Sequence, residues 1–296
     1  MESYVLEVSE PLTLVCDGRL AGMYVLSPFV WREANRFHIL LRAVPRRDDE
    51  PRLKMAEIWY GTSSDGLSFD MDQGPTIYPG PDAVDLDGCE DPTVWCDDGT
   101  YYVWYTGWNH AEQVGRLLMA SGSSPRTLAK VGIAIDSVTD FINPKEATVV
   151  RTASGAWKIF FEYARNDASC IGIAESDNPL GPWTRRETML EPRGDSCANW
   201  HLSTGPIVNA DSDRPVMFYN GASRDAHWRT GWVAFDRDFE CVVDRGDLPV
   251  ITPEVSAGGD MTDIAFASSA IEMEGELWLY HSISDQHLRR ARVRPV

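Results

Sequence analysis

The stretch Asp91–Gly107, DPTVWCDDGTYYVWYTG, contains two runs of β-forming residues separated by an Asp-Asp-Gly turn. Val, Trp, Tyr and Thr are enriched in strands because their side chains fit a pleated, half-buried surface. An Asp-Gly sequence between two such runs is a strong local signal for a tight hairpin turn. The stretch therefore predicts two antiparallel strands joined by a short turn.

This pattern occurs five times along the chain, and successive copies start roughly 55 to 65 residues apart. The other copies are SPFVWREANRFHILLRA from Ser27, ATVVRTASGAWKIFFEYA from Ala147, GPIVNADSDRPVMFYNGA from Gly205 and SSAIEMEGELWLYHSIS from Ser268. Such a period is the length of a four-stranded sheet with its turns, which is one blade of a β-propeller. We therefore predict an all-β chain in which residues 1–296 form a single five-bladed β-propeller domain. A β-sandwich is the alternative, but its turns would not carry so long a period.

A third strand is predicted after each hairpin, and a fourth after several of them. The third-strand segments are AEIWYGTSSDG, KVGIAIDSVTD, SCIGIAESDNP, RTGWVAFDRDF and QHLRRARV. No stretch keeps an apolar stripe at helical spacing for three turns, so helices are not expected. In propellers the first strand of each blade lines a central channel, and the loops at one end form a funnel. Polar residues near the blade starts are thus the candidates for a functional site.

The charge balance narrows the class of ligand. With 45 acidic residues against 27 basic ones, the formal net charge is -18, which repels nucleic acid and anionic membranes. We expect a small neutral substrate, and the 11 Trp offer flat faces for sugar stacking or for core packing. The six Cys form no CxxC pair and the N-terminus shows no leader pattern, which favours reduced thiols in a cytoplasmic protein. We expect no metal site and no cofactor, since HExxH, GxSxG and clustered His/Cys motifs are missing.

Polar residues near the start of every unit would meet at the axis of a closed propeller. They are Arg42, Glu90 with Asp91, Lys145 with Glu162, His201, and Asp263 with Asp285. Because they come from different units, their convergence would build a pocket.

The turn Glu90-Asp91-Pro92 is the most promising of these. Proline fixes its own φ and pushes the preceding residue into an extended conformation, so the turn holds its carboxylates rigidly. Cleavage of a glycoside with inversion needs one carboxyl as acid and a second as base, ~6.5–9.5 Å away with room for water. The alternative is that Asp91 only caps a turn.

The other candidates each allow two interpretations. Glu162 interrupts an apolar strand and points either to solvent or to the channel, and the same holds for Arg42. An inward Arg42 would bind an anion or orient a carboxylate. His201, beside Trp200, is either a structural residue or a sugar-binding one. Substrate specificity is expected to depend on rim loops such as Pro45–Lys54 and His110–Arg116.

Together these segments resemble glycoside hydrolase family 130, the inverting β-mannoside phosphorylases and β-mannosidases, over nearly the whole chain. The matching segments are Leu40-Leu41-Arg42, Gly88-Cys89-Glu90-Asp91-Pro92, Asn143-Pro144-Lys145, Gly205-Pro206-Ile207, Tyr219-Asn220-Gly221, Trp228-Arg229-Thr230-Gly231 and Ser284-Asp285-Gln286-His287. The resemblance implies a propeller that is one catalytic domain, with Asp91 as the acid that protonates the glycosidic oxygen through a sugar hydroxyl. Substrate-binding positions would be Arg42, Glu90, Lys145, Trp200, His201, Tyr219, Arg229 and His287.

Two departures from the family pattern bear on the nucleophile. Thr93 stands where the family usually has Arg, and Glu162 stands where the phosphorylases have His. Losing a cation and gaining a carboxylate disfavours a dianionic phosphate. We therefore predict hydrolysis, with Glu162, Asp263 or Asp285 as the base for water. Phosphorolysis, with inorganic phosphate as co-substrate held by Arg42, Lys145 and Arg229, remains an alternative, as does a non-catalytic sugar-binding propeller.

Overall fold

The computed structural model describes residues 3–46, 55–194, 196–253 and 263–296, and these residues form strands with two single-turn 3-10 segments, Leu20–Gly22 and Ala83–Asp85. Strand β1 (Tyr4–Pro11) belongs to the last sheet. The first blade contains β2 (Thr13–Val15), β3 (Met23–Glu33), β4 (Arg36–Pro45), β5 (Glu57–Ser63) and β6 (Ser68–Ile77), in the order β2-β6-β5-β4-β3. Within the described ranges, no helix is long and apolar enough to cross a membrane.

The second and third blades are regular four-stranded antiparallel sheets. The second contains β7 (Gly88–Asp97), β8 (Thr100–Asn109), β9 (Val114–Gly122) and β10 (Ala129–Ile135). The third contains β11 (Ile142–Arg151), β12 (Trp157–Arg165), β13 (Ala168–Ser176) and β14 (Thr184–Leu190). In both, the first strand lies at one edge of the sheet and the last strand at the other.

In the second blade, the sequence prediction of the third strand was wrong. The segment from Lys130 lies in β10 and is the fourth strand, whereas the third strand is β9. The middle of β9, Leu117–Ala120, is buried on both faces, so its side chains do not alternate between apolar and polar. A short apolar run of this kind gives no period-2 signal, and its start lies inside the segment predicted as a rim loop.

The fourth blade is split into two half-sheets. Its strands are β15 (His201–Ser203), β16 (Ile207–Val208), β17 (Val216–Met217), β18 (Asn220–Ala222), β19 (Trp228–Thr230), β20 (Val233–Phe235) and β21 (Val242–Arg245). Gly205 and Pro206 separate β15 from β16, because proline has no N–H to give to a ladder. A Cβ on Gly205 would lie 1.8 Å from the carbonyl oxygen of Phe218, so only glycine fits this close approach.

The fifth blade joins the two ends of the described chain. It contains β22 (Ala265–Met273), β23 (Glu276–Ile283) and β24 (His287–Pro295), and β1 pairs antiparallel with β24 as the outer strand. Tyr4 of β1 packs edge-on against Phe218 and Trp232, with ring centroids 5.0 and 5.5 Å apart. The N-terminal strand thus ties the fifth blade to the fourth.

Hydrogen bonds between strands near the axis join each blade to the next and complete a five-bladed β-propeller. The bonds are Ser27 Oγ to Asp91 (2.5 Å), Thr93 Oγ1 to the Ala147 carbonyl (2.5 Å), Thr148 Oγ1 to the Gly205 carbonyl (2.9 Å), Asn220 Nδ2 to the Ala267 carbonyl (2.9 Å) and Val30 N–H to Ser269 Oγ (2.8 Å). The five predicted blade starts therefore lie around one axis.

Candidate active site

Asp91 lies at a β-bulge in the innermost strand of the second blade. The register of β7 against β8 shifts between Glu90 and Thr93, and Asp91 has a φ of +50°. A bulge inserts an unpaired residue and re-aims its side chain, here toward the channel. Asp91 is 8% exposed and accepts a hydrogen bond from Ser27 Oγ at 2.5 Å. The sequence placed this carboxylate correctly at a blade start, but the proline-imposed extended backbone was wrong, because the bulge holds Asp91 in the left-handed region.

Arg42 links the two carboxylates of this turn. Its guanidinium lies 2.9 Å from Glu90 and 3.4 Å from Asp91. Burial alone would lower the pKa of Arg42, but Glu90 and Asp91 outweigh it and raise that pKa above its usual value. Burial raises the pKa of Glu90, and Arg42 opposes the shift. Arg42 therefore points inward, as one of its two sequence interpretations required.

Lys145 and Glu162 face each other across β11 and β12 in the third blade. They are register partners, and Lys145 Nζ lies 3.2 Å from Glu162 Oε1. Burial would lower the pKa of Lys145, but Glu162 and then Glu146 raise it overall, so the ammonium stays charged. Glu162 is 3% exposed, and its Oε2 has no hydrogen-bond partner among the described residues. One oxygen of Glu162 is thus committed to Lys145 while the other remains available.

Glu146 is a site residue that the sequence analysis missed. It sits at a bulge between Lys145 and Ala147 with a φ of +51°, and it accepts a short hydrogen bond from Ser203 Oγ. Burial, followed by the nearby Asp91 and Glu162 carboxylates, raises the pKa of Glu146 well above its usual range. If the repeats are aligned on the buried valines at 30, 94 and 149, Glu146 falls at the position in the third repeat that Asp91 occupies in the second. This alignment would have identified Glu146.

These residues line two adjoining cavities. The larger has a volume of about 1000 Å³ and is lined by side chains that include Glu90, Trp108, Glu162 and His201. The smaller, of about 160 Å³, is lined by Asp91, Glu146, Trp228 and Asp285 among others. Arg42 and Lys145 line both cavities, so the two form one continuous site.

Asp285 enters the smaller cavity from the tight turn between β23 and β24. Ser284 and Asp285 both have positive φ, at 55° and 53°, as a type I′ hairpin requires. Burial raises the pKa of Asp285, and Arg42 partly offsets this shift. Asp91, Glu146 and Asp285 therefore share one small space, and carboxylates this close cannot all ionise at little cost.

His201 lines the larger cavity between two indoles. Its ring lies 3.9 Å from that of Trp200 and is parallel to that of Trp228 at 6.1 Å. Burial lowers the pKa of His201, with Glu162 acting against the shift, so the imidazole is neutral near pH 7. Trp200 supports His201 and donates its indole N–H to the Asp167 carbonyl oxygen at 2.5 Å.

Besides Trp200, four predicted site residues do not line these cavities. The Asp263 carboxylate contacts His227 Nδ1, and its carbonyl accepts the Trp228 N–H at 2.9 Å. Tyr219 is 3% exposed within the core of the fourth blade, where Arg245 Nε donates to its hydroxyl at 3.1 Å. The Arg229 guanidinium contacts Ser223 Oγ and the His227 carbonyl, and His287 is exposed at the start of β24.

The predicted rim loops are only partly described. Residues 47–54 of the first loop lie outside the described residues. In the second, His110 and Gly115 line the larger cavity, while Arg116 already belongs to β9 and pairs with Asp136. Within the described ranges, no group of three or more His, Cys, Asp or Glu side chains is placed to hold a metal ion.

Carboxyl groups gathered at one end of a five-bladed propeller, beside a cavity large enough for a sugar, are typical of enzymes that cleave glycosidic bonds. The family model of glycoside hydrolase family 130, described as beta-1,4-mannooligosaccharide phosphorylase, matches residues 24–294. The chain belongs to this family, as the resemblance predicted, and the family consists of enzymes that act on glycosides.

Relatives and solved structures of the family agree in fold and extent. A beta-1,2-mannobiose phosphorylase from Thermoanaerobacter sp. (strain X514) is 24% identical in an alignment of 276 residues that covers 89% of this chain and 88% of that protein. The structure of beta-1,2-mannobiose phosphorylase from Listeria innocua matches with a TM-score of 0.77 at 16% identity, covering 96% of this chain and 90% of that one. Another, from work on family members that hydrolyse beta-1,2 mannosidic linkages in Candida mannan, has a TM-score of 0.77 at 20% identity, covering 91% and 84%. Both mannoside phosphorylases and hydrolases are thus among the similar proteins.

Proposed function

We propose that this chain is a single-domain inverting glycosidase that hydrolyses β-mannosides or related oligosaccharides. Asp91 is the acid, and Glu162 is the base that activates water. The observation that carries the proposal is the second carboxylate oxygen of Glu162, which is buried at the cavity and has no partner among the described residues. A carboxylate oxygen without a protein partner, on a side chain that lines the cavity, can accept a proton from water as the water attacks.

The charge of the site supports water over phosphate as the nucleophile. The two cavities are lined by six carboxyl groups, Asp87, Glu90, Asp91, Glu146, Glu162 and Asp285, and by two cations, Arg42 and Lys145. Both cations already contact carboxylates, and Thr93 gives its hydroxyl hydrogen to the Ala147 carbonyl. Two like charges 4 Å apart repel by about 4 kcal/mol at an effective dielectric of 20. A dianionic phosphate would face this repulsion, whereas water would not.

The crowded carboxyl groups also supply the proton that the leaving oxygen needs. Burial and mutual repulsion raise the pKa of Glu146 and of Asp285, so this group of acids holds a proton to a higher pH than free carboxyl groups do. Asp91 receives it within the same small cavity and passes it to the glycosidic oxygen through a sugar hydroxyl. Arg42 holds Glu90 and Asp91 in place, and neutral His201 binds a sugar hydroxyl.

Phosphorolysis is the second candidate function. The similar proteins named above include beta-1,2-mannobiose phosphorylases, and Lys145 is a charged ammonium at the cavity wall. If Lys145 exchanges Glu162 for phosphate, inorganic phosphate becomes the co-substrate and the product is a sugar 1-phosphate.

One experiment separates these functions. The protein is incubated with β-1,2-mannobiose and β-1,4-mannobiose, with and without inorganic phosphate, and the products are identified by mass spectrometry. We expect mannose at the same rate in both buffers. Mannose 1-phosphate formed only when phosphate is added would establish phosphorolysis instead. Binding of disaccharides that stay intact for days in both buffers would support a non-catalytic sugar-binding propeller.

A further inference from the structure

A second cavity, beside the active site that the larger and smaller cavities form, begins near Glu162, the proposed base. Along β11 and β12, the register pair next to Lys145 and Glu162, toward the start of β11, is Ile142 and Ala164. Two residues of a strand span about 7 Å. Ala164 lines both the larger active-site cavity and this second cavity, so the two spaces meet at its side chain.

The second cavity has a volume of about 600 Å³ and a mixed wall. Phe141 and the 44% exposed Ile142 provide apolar surface, while Asp140, Asn166 and Thr188 provide hydrogen-bonding groups. Apolar faces combined with hydroxyl, amide and carboxylate groups suit a neutral sugar, which presents C–H faces and hydroxyls together.

Arg165 is a hydrogen-bond donor in the wall of this cavity, and two partners fix the position of its side chain. Its guanidinium donates to Thr188 Oγ1 at 3.2 Å and to Glu191 at 3.0 Å, while its side chain remains 47% exposed. The pairing with Glu191 offsets part of the positive charge, which favours a neutral ligand over an anion at this wall. A guanidinium held by two partners loses little freedom when its other N–H groups bind a ligand.

We infer that this second cavity is a remote subsite that binds the further sugar units of an oligosaccharide whose scissile bond lies at Asp91 and Glu162. The inference rests on the proposed function, because it takes the position of the scissile bond from it. The subsite would make the enzyme prefer longer chains over disaccharides. Since it touches only units distant from the cleaved bond, it would act on affinity for long chains and leave the cleavage of a disaccharide unchanged.

The test compares mannobiose with mannotetraose of the same linkage, β-1,2 or β-1,4, in wild type, Arg165→Ala and Arg186→Ala. Arg186 is the control, because it is a similarly exposed arginine paired with Glu175 in the same blade and lines neither cavity. We expect Arg165→Ala to raise KM for the tetraose about tenfold, as loss of a hydrogen bond to a charged group would, with mannobiose unaffected. Arg186→Ala should match wild type on both substrates.

Equal loss on both chain lengths, or no loss on either, would overturn the subsite. A binding measurement keeps this result separate from the proposed function. Calorimetric titration of Asp91→Asn, and of the Asp91→Asn, Arg165→Ala double variant, with the same two ligands requires no turnover. Tetraose binding about tenfold weaker in the double variant, with mannobiose binding equal in the two, supports the subsite even if wild type cleaves neither sugar. Equal tetraose affinity in the two variants contradicts it.

Discussion

Asp91 and Glu146 occupy equivalent positions in neighbouring blades. Each sits at a bulge of the innermost strand with a φ near +50°, and each is oriented by a serine hydroxyl from an adjacent blade, Ser27 for Asp91 and Ser203 for Glu146. Their environments differ, because the Arg42 guanidinium lies 3.4 Å from Asp91, whereas Glu146 lies near the Asp91 and Glu162 carboxylates with its nearest cation, Lys145, 3.9 Å away. The repeat thus places two acids at the channel, and their neighbours give them different roles.

Replacing Asp91 with Asn should abolish turnover while leaving the fold intact. Asn fits the same left-handed backbone, but it cannot deliver a proton, so we expect a loss of about 100-fold or more. The measurement is kcat on mannobiose, together with a thermal unfolding curve. Asp98→Asn is the control, since Asp98 also has a positive φ but lies exposed in the β7–β8 turn. Turnover of Asp91→Asn near the wild-type rate would exclude Asp91 as the acid.

Glu146→Gln should change how stability depends on pH. In the folded protein the pKa of Glu146 lies well above 4.5, so the folded state keeps a proton that the unfolded chain releases near that pH. Wild type therefore loses this contribution as the pH rises from 4.5 through the folded-state pKa, and the Gln variant does not. We expect the free energy of unfolding of Glu146→Gln, minus that of wild type, to increase with pH in urea titrations. A difference that does not change with pH would contradict a retained proton.

The strand that carries Glu90 and Asp91 is supported by a buried acid below it. Asp85 is fully buried in the second 3-10 segment. Its carboxylate pairs with the Lys130 ammonium at 2.6 Å and accepts a hydrogen bond from the Tyr105 hydroxyl at 3.0 Å. Cys89, next to Glu90, also contacts Asp85 through its thiol at 3.5 Å. The outer strand β10, through Lys130, thus helps to fix the position of the innermost strand β7.

Lys130→Met should destabilise the protein strongly, because it leaves the Asp85 carboxylate buried without a counter-ion. Breaking a buried pair from one side costs about 3–5 kcal/mol. We expect this decrease in the free energy of unfolding by urea denaturation. Arg237→Ala removes an exposed pair with Asp213 and should cost less than about 1 kcal/mol. Equal effects of the two variants would show that the buried pair does not hold β7 and β10 together.

The closure of the ring depends on β1, a strand far from its sheet partners in sequence. It completes the fifth blade beside β24, and Tyr4 inserts among Phe218 and Trp232 of the fourth blade. Arginines of β24 also pair with acids of β1, for example Arg290 with Glu10 at 2.8 Å. Stability of the whole propeller should therefore respond to a single residue of this strand.

Tyr4→Ala should lower the free energy of unfolding by about 3 kcal/mol, as removal of a large buried aromatic side chain does. Leu6→Ala in the same strand is the control, because Leu6 is 37% exposed and should cost under about 1 kcal/mol. Chemical denaturation of both variants gives the comparison. If Tyr4→Ala costs no more than Leu6→Ala, β1 does not hold the fourth and fifth blades together.

The repeat period and the hairpin turns were enough to predict an all-β propeller of five blades. They could not show that β1 belongs to the fifth blade, since β1 has no hairpin partner next to it in sequence. The site was predicted from polar side chains on the first two strands of a blade, Asp91 and Lys145 on first strands and Arg42 and Glu162 on second strands. Tyr219 lies in a blade core instead, because the face that a strand residue presents depends on packing between sheets. Glu146 was missed because the third copy was started one residue late, at Ala147.

The proposed role of Glu162 as the base for water is tested most directly by Glu162→Gln with and without azide, a nucleophile that attacks without a base. In phosphate-free buffer, NMR of mannobiose turnover should show hydrolysis reduced by about 100-fold or more. Azide should restore cleavage and give α-mannosyl azide, the inverted product. Glu175→Gln, which changes a carboxylate outside the larger and smaller active-site cavities, should hydrolyse mannobiose like wild type. Hydrolysis by Glu162→Gln at close to the wild-type rate would contradict this mechanism.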